Sequence, residues 1–208
     1  MNLPYFQPHE KPYGMTFGGW TVKWWQWLLS KASDINPAID PTGKNGSIDQ
    51  NRERVWFLAG TFDKMDPARR EIRIPSNRSI LLPAICYQAN FIEDPIFSSE
   101  EDLECHVRND IDDIVEHLVT VDDIEIGTYR IMSDPIVFPI KLAKDIPHGQ
   151  HSAYMKKLEG DVDTNAVAEG YWAFIKPLLS GQHNLHLKGS CGGGIRKTEA
   201  FYKILIED

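Results

Sequence analysis

Gly170-Tyr-Trp-Ala-Phe-Ile-Lys-Pro177, His183-Asn-Leu-His-Leu-Lys188 and Ala200-Phe-Tyr-Lys-Ile-Leu-Ile206 decide the fold class. In the second run Leu185 and Leu187 alternate with Asn184 and His186, the period of a strand with one buried face. Pro177 to Gln182 reads as a turn, and Gly189 to Gly194 holds too much glycine for a helix. The first two runs, joined by a short Gly/Pro connection, predict an antiparallel hairpin, and Ala200 to Ile206 adds a third strand. A mainly β chain follows: an antiparallel β-sandwich, jelly-roll or immunoglobulin-like, with strand order not legible from sequence. These strands identify no chemistry.

Working back from them, residues 1–15 are rich in proline and lack periodicity, which predicts an extended arm. Trp20, Trp24, Trp27, Leu28 and Lys31 recur at helical spacing, so Gly19 to Lys31 is expected as a tryptophan-rich amphipathic helix. Thr16 or Thr21 starts it and Asn36-Pro37 ends it. Asp34 to Arg54 is loop. Val55 to Phe62 is almost continuously apolar, as in a strand covered on both faces. Glu71 to Ile74 and Ser79 to Tyr87 are strands, with Pro83 pointing to an edge or a bulge. Ser98-Ser-Glu-Glu-Asp102 opens an acidic second helix over 99–118, with Leu103, Val107, Ile111, Ile114, Val115 and Leu118 as its stripe. Val119 to Ile126 is a small hairpin turning at Asp122-Asp123, followed by strands at Tyr129 to Met132 and Ile136 to Leu142. Lys144 to Thr164 reads as a long surface loop. A single domain spanning 1–208 is expected.

The composition narrows the partners. With 208 residues, 42% hydrophobic and 25% charged, the chain can bury a core without disulfide staples. A net charge of −8 argues against nucleic acid and anionic membrane surfaces. Cys86, Cys105 and Cys191 form no CxxC pair, which suits reduced thiols and a cytoplasmic protein. No signal peptide is visible, though a secreted chain with its leader removed reads the same way. No run approaches the roughly 18 apolar residues of a membrane span.

Three segments taken together, Trp20-x-x-x-Trp24-Trp-Gln-Trp-Leu28, Val55-Trp-Phe-Leu-Ala-Gly-Thr-Phe62, and Glu169-Gly-Tyr-Trp172 with Gly181-x-His-x-Leu-His-Leu-x-Gly-Ser190, resemble a group of functionally uncharacterised bacterial proteins. The resemblance implies a predominantly β, sandwich-like domain with an N-terminal tryptophan-rich helix. It carries over no catalytic residue.

The remaining candidates are weighed on their chemistry. Aromatic faces stack on sugar rings and flat ligands, but the spacing of the tryptophans favours packing of a helix on a sheet. Trp25, off the main stripe, is the one expected to be open to a ligand. His183 and His186 point to opposite faces of a strand, so one metal cannot take both. His183 shares the face of Leu185 and Leu187 and reads as a satisfied buried imidazole. His148 and His151 lack a third ligand. The oxygens of Asp34, Asn36, Asp40, Asp49, Asp161 and Asp163 fit turns as well as they fit calcium. The Cys191 loop, with Gly192-Gly-Gly194, reads as an ordinary glycine-rich turn rather than an oxyanion cradle. Asp110, Asp112, Asp113 and Glu116 read as a solvated helix face. Arg130 and Glu169 lie on strands beside aromatic neighbours, where a buried charge needs a partner; paired, they line a polar pocket.

The leading expectation is a small-molecule or sugar-binding sandwich, with Trp25, Tyr129, Arg130 and Trp172 as binding residues. The alternative is a hydrolase, lyase or isomerase using His186 and Glu169 as an acid–base pair. A structural or assembly protein is the third reading, and a homodimer stays open. No metal, other cofactor, nucleic acid or membrane is expected as a partner.

Overall fold

The computed structural model describes residues 4–50, 54–62, 66–145, 160–194 and 196–207. Along the chain run α1 (Phe17–Leu29), β1 (Val55–Phe57), β2 (Ala68–Pro75), β3 (Ser79–Asn90), α2 (Glu100–Asp112) and β4 (Ile114–Val121). The remainder is strand: β5 (Ile124–Glu125), β6 (Tyr129–Leu142), β7 (Val162–Ile175), β8 (Gly181–Cys191) and β9 (Lys197–Glu207). Two mixed sheets result, in the orders β1-β3-β7-β6 and β2-β9-β8-β4-β5. Each contains one parallel pair, β1 with β3 and β2 with β9, so the expectation of purely antiparallel sheets is corrected.

Patterning explains the layers. The first sheet is apolar on both faces because both are covered. Trp172 and Phe174 of β7, Leu81 of β3 and Phe57 of β1 point to one side, where α1 lays Phe17, Trp20, Trp24 and Trp27 over them. Ala173, Ile175, Ile80, Leu82 and Trp56 point to the other, against Ile74, Leu187, Tyr202 and Ile204 of the second sheet. α2 buries Leu103 and Val107 on Ala89 and Val167, beyond the end of the second sheet. The second sheet's outer face is polar, as the alternation of β2 and β8 requires.

Two close approaches set the layer spacing. A Cβ on Gly18 would lie 2.5 Å from the Met132 carbonyl oxygen, so only glycine lets α1 rest this close to β6. A Cβ on Gly189 would meet the Ile85 side chain at 2.5 Å and the Ala84 carbonyl at 2.6 Å, where β8 crosses β3.

Several local expectations hold. Thr16 caps α1 by accepting the Gly19 N–H at 3.1 Å. Ser99 and Asp102 form a reciprocal capping box on α2. Asp122 and Asp123 turn the β4–β5 hairpin with φ of 50° and 64°. The β3–β7 register slips between Pro83 and Ile85, a bulge at the proline.

Two expectations are corrected. α2 stops at Asp112, not at 118, and Ile114, Val115 and Leu118 lie on β4. The run Ile114-Val-Glu-His-Leu-Val-Thr-Val121 is rich in β-branched residues, and as a strand it turns Val119 and Val121 into the core while Val115 is exposed. The two runs read as one hairpin belong to different sheets. β7 pairs with β3 and β6, whereas β8 pairs with β4 and β9. β7 is apolar on both faces and β8 on one, so they occupy layers of different depth, and Pro177 to Ser180 crosses between the sheets. The expected 144–164 loop falls mostly outside the described residues, as do His148 and His151; β7 already begins at Val162.

Arg70 is the buried charge that the patterning did not signal. It occupies an inward position of β2, in line with Ile72 and Ile74, and is 2% exposed. Its Nε donates to the Asp40 carbonyl at 2.7 Å and its Nη2 to Ala38 O at 3.2 Å. Nη1 reaches Ala59 O at 2.6 Å, Gly60 O at 3.1 Å and the Tyr202 hydroxyl at 2.6 Å. Replacing Arg70 with methionine keeps the stem and strands these acceptors, so we expect a loss of about 3–5 kcal/mol in urea unfolding. Lysine, with three donors on one nitrogen, should recover only part of it.

Candidate functional site

Arg130 and Glu169, whose pairing the sequence left as a condition, are partners. β6 and β7 are neighbours, and Met132 sits opposite Glu169 in register, which places Arg130 one diagonal step away. Arg130 Nε and Nη2 grip the two carboxylate oxygens of Glu169 at 2.9 Å each. Arg108 of α2 stands 3.9 Å from the same carboxylate, and Arg130 also pairs with Asp112. These bonds raise the affinity of Arg130 for its proton, the Glu169 contact most of all.

Around this pair lies a polar seam that fastens α2 to the sheets. Tyr87, opposite Glu169 across β3–β7, contacts His106 Nε2 through its hydroxyl at 3.2 Å. Burial, then the charges of Asp94 and Asp110, push its phenol well above the usual range. Arg196 lies over the Tyr87 ring at 4.5 Å and pairs with Asp110 at 2.8 Å. Asp110 is therefore a partly buried anchor and not part of a solvated face. Every charge in the seam has a partner, and the arrangement is that of a clamp.

The other expected site residues are distributed elsewhere. Tyr129 and Trp172 are opposite each other in register, on the α1 side of the first sheet. Tyr129 donates its hydroxyl to Gln7 Oε1 at 2.8 Å, and burial raises its phenol above the ordinary value. Trp172 is fully buried and meets Trp24 edge to face at 5.1 Å. Trp25 meets the same Trp24 at 4.9 Å and is only 6% exposed, so the expectation that it is open to a ligand is corrected. The reason is β6, which runs along the flank of α1 and bonds it through Gln26 to Pro139 and Ala143 to Leu29.

His186 points to the outer face of the second sheet. It contacts Glu199 at 2.9 Å and stacks on Phe201 with ring centroids 4.2 Å apart. Glu169 belongs to the first sheet and is held by Arg130, so the structure does not assemble the two into an acid–base pair. His183 is half-buried, between Asp122 Oδ2 at 2.6 Å and the Leu179 carbonyl at 2.9 Å.

The Asp40 loop is a set of turns. Asp40 accepts from the Thr42 N–H and hydroxyl and the Asn45 N–H, at 2.7 to 2.8 Å. Burial opposes ionisation there, but these donors and the Arg70 charge hold the carboxyl below its usual range. Near the glycine-rich loop, Cys191 Sγ accepts the Arg196 N–H and the Gly192 N–H is engaged by Asp113 O.

Sequence reasoning missed an open groove of about 540 Å³ on the second sheet. Glu71 of β2 stands opposite Lys203 of β9, and Arg73, Leu205 and Gln182 form the next row across β2, β9 and β8. Ser47 closes one end, on a loop pinned to β2 by the Glu71 N–H to Thr42 O bond at 2.9 Å. Trp56 also lines it, and its indole N–H has no hydrogen-bond partner among the described residues. Arg73 pairs with Glu207 at 2.7 Å, whereas Lys203 and Glu71 are 3.9 Å apart, beyond hydrogen-bond reach. The outward alternation of β2 was legible in the sequence; the parallel pairing that puts Glu71 beside Lys203 was not.

Glu169→Gln removes the charge that neutralises Arg130 while keeping the shape. With Arg130 one-third exposed, we expect a loss of about 2 kcal/mol in urea unfolding, smaller than for a fully buried pair. Compared with models of known protein families, with curated proteins and with solved structures, the chain matches none.

Proposed function

We propose that this protein binds a small hydroxyl-rich molecule, a sugar being the nearest class, in the groove between β2, β9, β8 and the loop carrying Ser47. The observation that carries the reading is the groove itself, whose lining sets Trp56, Ile72 and Leu205 beside Glu71, Arg73, Gln182 and Lys203. Apolar surface beside a few convergent polar groups is the usual make-up of a small-molecule site. The rest of the lining supplies what a polyol needs. Gln182 and Ser47 donate and accept, Glu71 accepts, Arg73 and Lys203 donate, and Ile72 and Leu205 offer apolar contact. The net charge of −8 sets an unfavourable field for nucleic acid.

Titration of ¹⁵N-labelled protein with a panel of neutral and acidic mono- and oligosaccharides tests this. At least one sugar should shift the Trp56 indole N–H and the Gln182 side-chain amide together. Gln182→Ala should weaken that sugar roughly three- to tenfold, the worth of one neutral hydrogen bond. A panel that moves neither signal, or moves signals only elsewhere, overturns the assignment.

A further inference from the structure

We propose that His183, Asp122 and the Leu179 carbonyl form a pH-sensitive latch on the β7–β8 crossover, which delivers Gln182 to the groove. The ligand-facing half of this inference rests on the groove reading above; the latch itself does not.

The geometry dictates the protonation state. His183 presents Nδ1 to a carboxylate oxygen of Asp122 at 2.6 Å and Nε2 to the carbonyl oxygen of Leu179 at 2.9 Å. Neither partner can donate a proton when Asp122 is ionised, so both ring nitrogens must carry hydrogen, and only the imidazolium does. A neutral ring keeps one of the two bonds and turns a nitrogen lone pair toward an oxygen lone pair at the other. The charge acting on the ring is that of Asp122. The crossover contributes a neutral carbonyl, and β9 places apolar Ile204 opposite.

The latch joins three elements. Asp122 sits in the β4–β5 turn, where its other oxygen accepts the Asn184 N–H at 2.9 Å and its own N–H bonds Asn184 O at 2.8 Å. Leu179 lies in the crossover with its side chain 84% exposed, so little packing of its own holds it. Gln182 follows three residues later and, by strand alternation, faces the groove while His183 faces the latch.

The signs agree on a pH window. Burial lowers the affinity of His183 for its proton, but the bonds to Asp122 and Leu179 outweigh it, and the net value lies above the ordinary 6.5. Its contribution is complete below the unfolded value and is lost as pH rises through the folded one. For Asp122 burial is likewise opposed and outweighed, by the Asn184 N–H and by His183, leaving it below 3.8. That contribution is lost as pH falls through the lowered value. Between the two the latch is closed; on the alkaline side the crossover is released at Leu179, and Gln182, at the start of β8, is left held by its pairing with Leu205 of β9 alone.

The test follows the His183 ring and the backbone amides of residues 179–184 by NMR from pH 5 to 9, with no ligand present. The expected result is a ring midpoint above 6.5 shared by the Leu179 to Gln182 amides, lowered in Asp122→Asn, with the amide transition lost in His183→Gln. A midpoint at or below 6.5, or amides that do not follow the ring, overturns the latch. The sugar that moves the Trp56 signal is then titrated on both sides of the midpoint. Weaker binding at the higher pH in the wild type, and no such change in His183→Gln, supports control of the groove. Equal affinity at both pH values with a titrating ring overturns that control. Failure of every sugar at both pH values overturns the groove reading, and the ligand-free titration still decides the latch.

Discussion

The guanidinium of Arg70 is the constraint on which the rest depends. It is a charge buried between layers with no carboxylate in hydrogen-bond contact among the described residues, held instead by four backbone carbonyls and the Tyr202 hydroxyl. Those carbonyls belong to Ala38 and Asp40 of the loop after α1 and to Ala59 and Gly60 after β1. One side chain therefore fixes the loop, the exit of the first sheet and β9 in a single geometry. Taking a cation out of water is tolerable only when all its donors are met. The same rigid loop, reaching Ser47, forms one end of the groove.

Around that anchor, depth decides the amino-acid pattern of each strand. β3 and β7 are covered by α1 on one face and by the second sheet on the other, and both read as nearly continuous apolar runs. β2, β8 and β9 are covered once and alternate. The tryptophans of α1 serve this layering. Trp20, Trp24 and Trp27 send their N–H groups to Pro12, Leu58 and Ile48 carbonyls at 2.8 to 2.9 Å, tying the arm and two loops to the helix. These three rings therefore act as packing elements with polar ends.

How much was legible follows from the range of each interaction. The α1 cap at Thr16, the Asp122-Asp123 turn and the bulge at Pro83 are set within a few residues, and local chemistry announces them. Arg130 and Glu169 were legible for another reason: a charge on an otherwise apolar strand must find its opposite. The end of α2 was not, because Ile114, Val115 and Leu118 continue a helical stripe as well as they begin a strand, and only pairing with β8 decides. Arg70 escaped notice because its acceptors are backbone carbonyls, which leave no trace in the sequence. The groove depends on β2 lying parallel to β9, a pairing of residues about 130 positions apart, and no local signal encodes that register.

The two histidines of β8 show how far position alone separates chemistry. His183 and His186 are three residues apart on one strand and so face opposite sides. His186 meets one carboxylate and the face of Phe201. His183 meets two acceptors and satisfies both only when charged. Protonation of His183 thus decides whether a turn and a crossover stay joined. The difference arises from what lies opposite: the β4–β5 turn reaches His183 because Asp122, in a left-handed backbone conformation, folds its carboxylate back over the start of β8. Sensitivity to pH is therefore a property of the junction, made by three elements that meet at one ring.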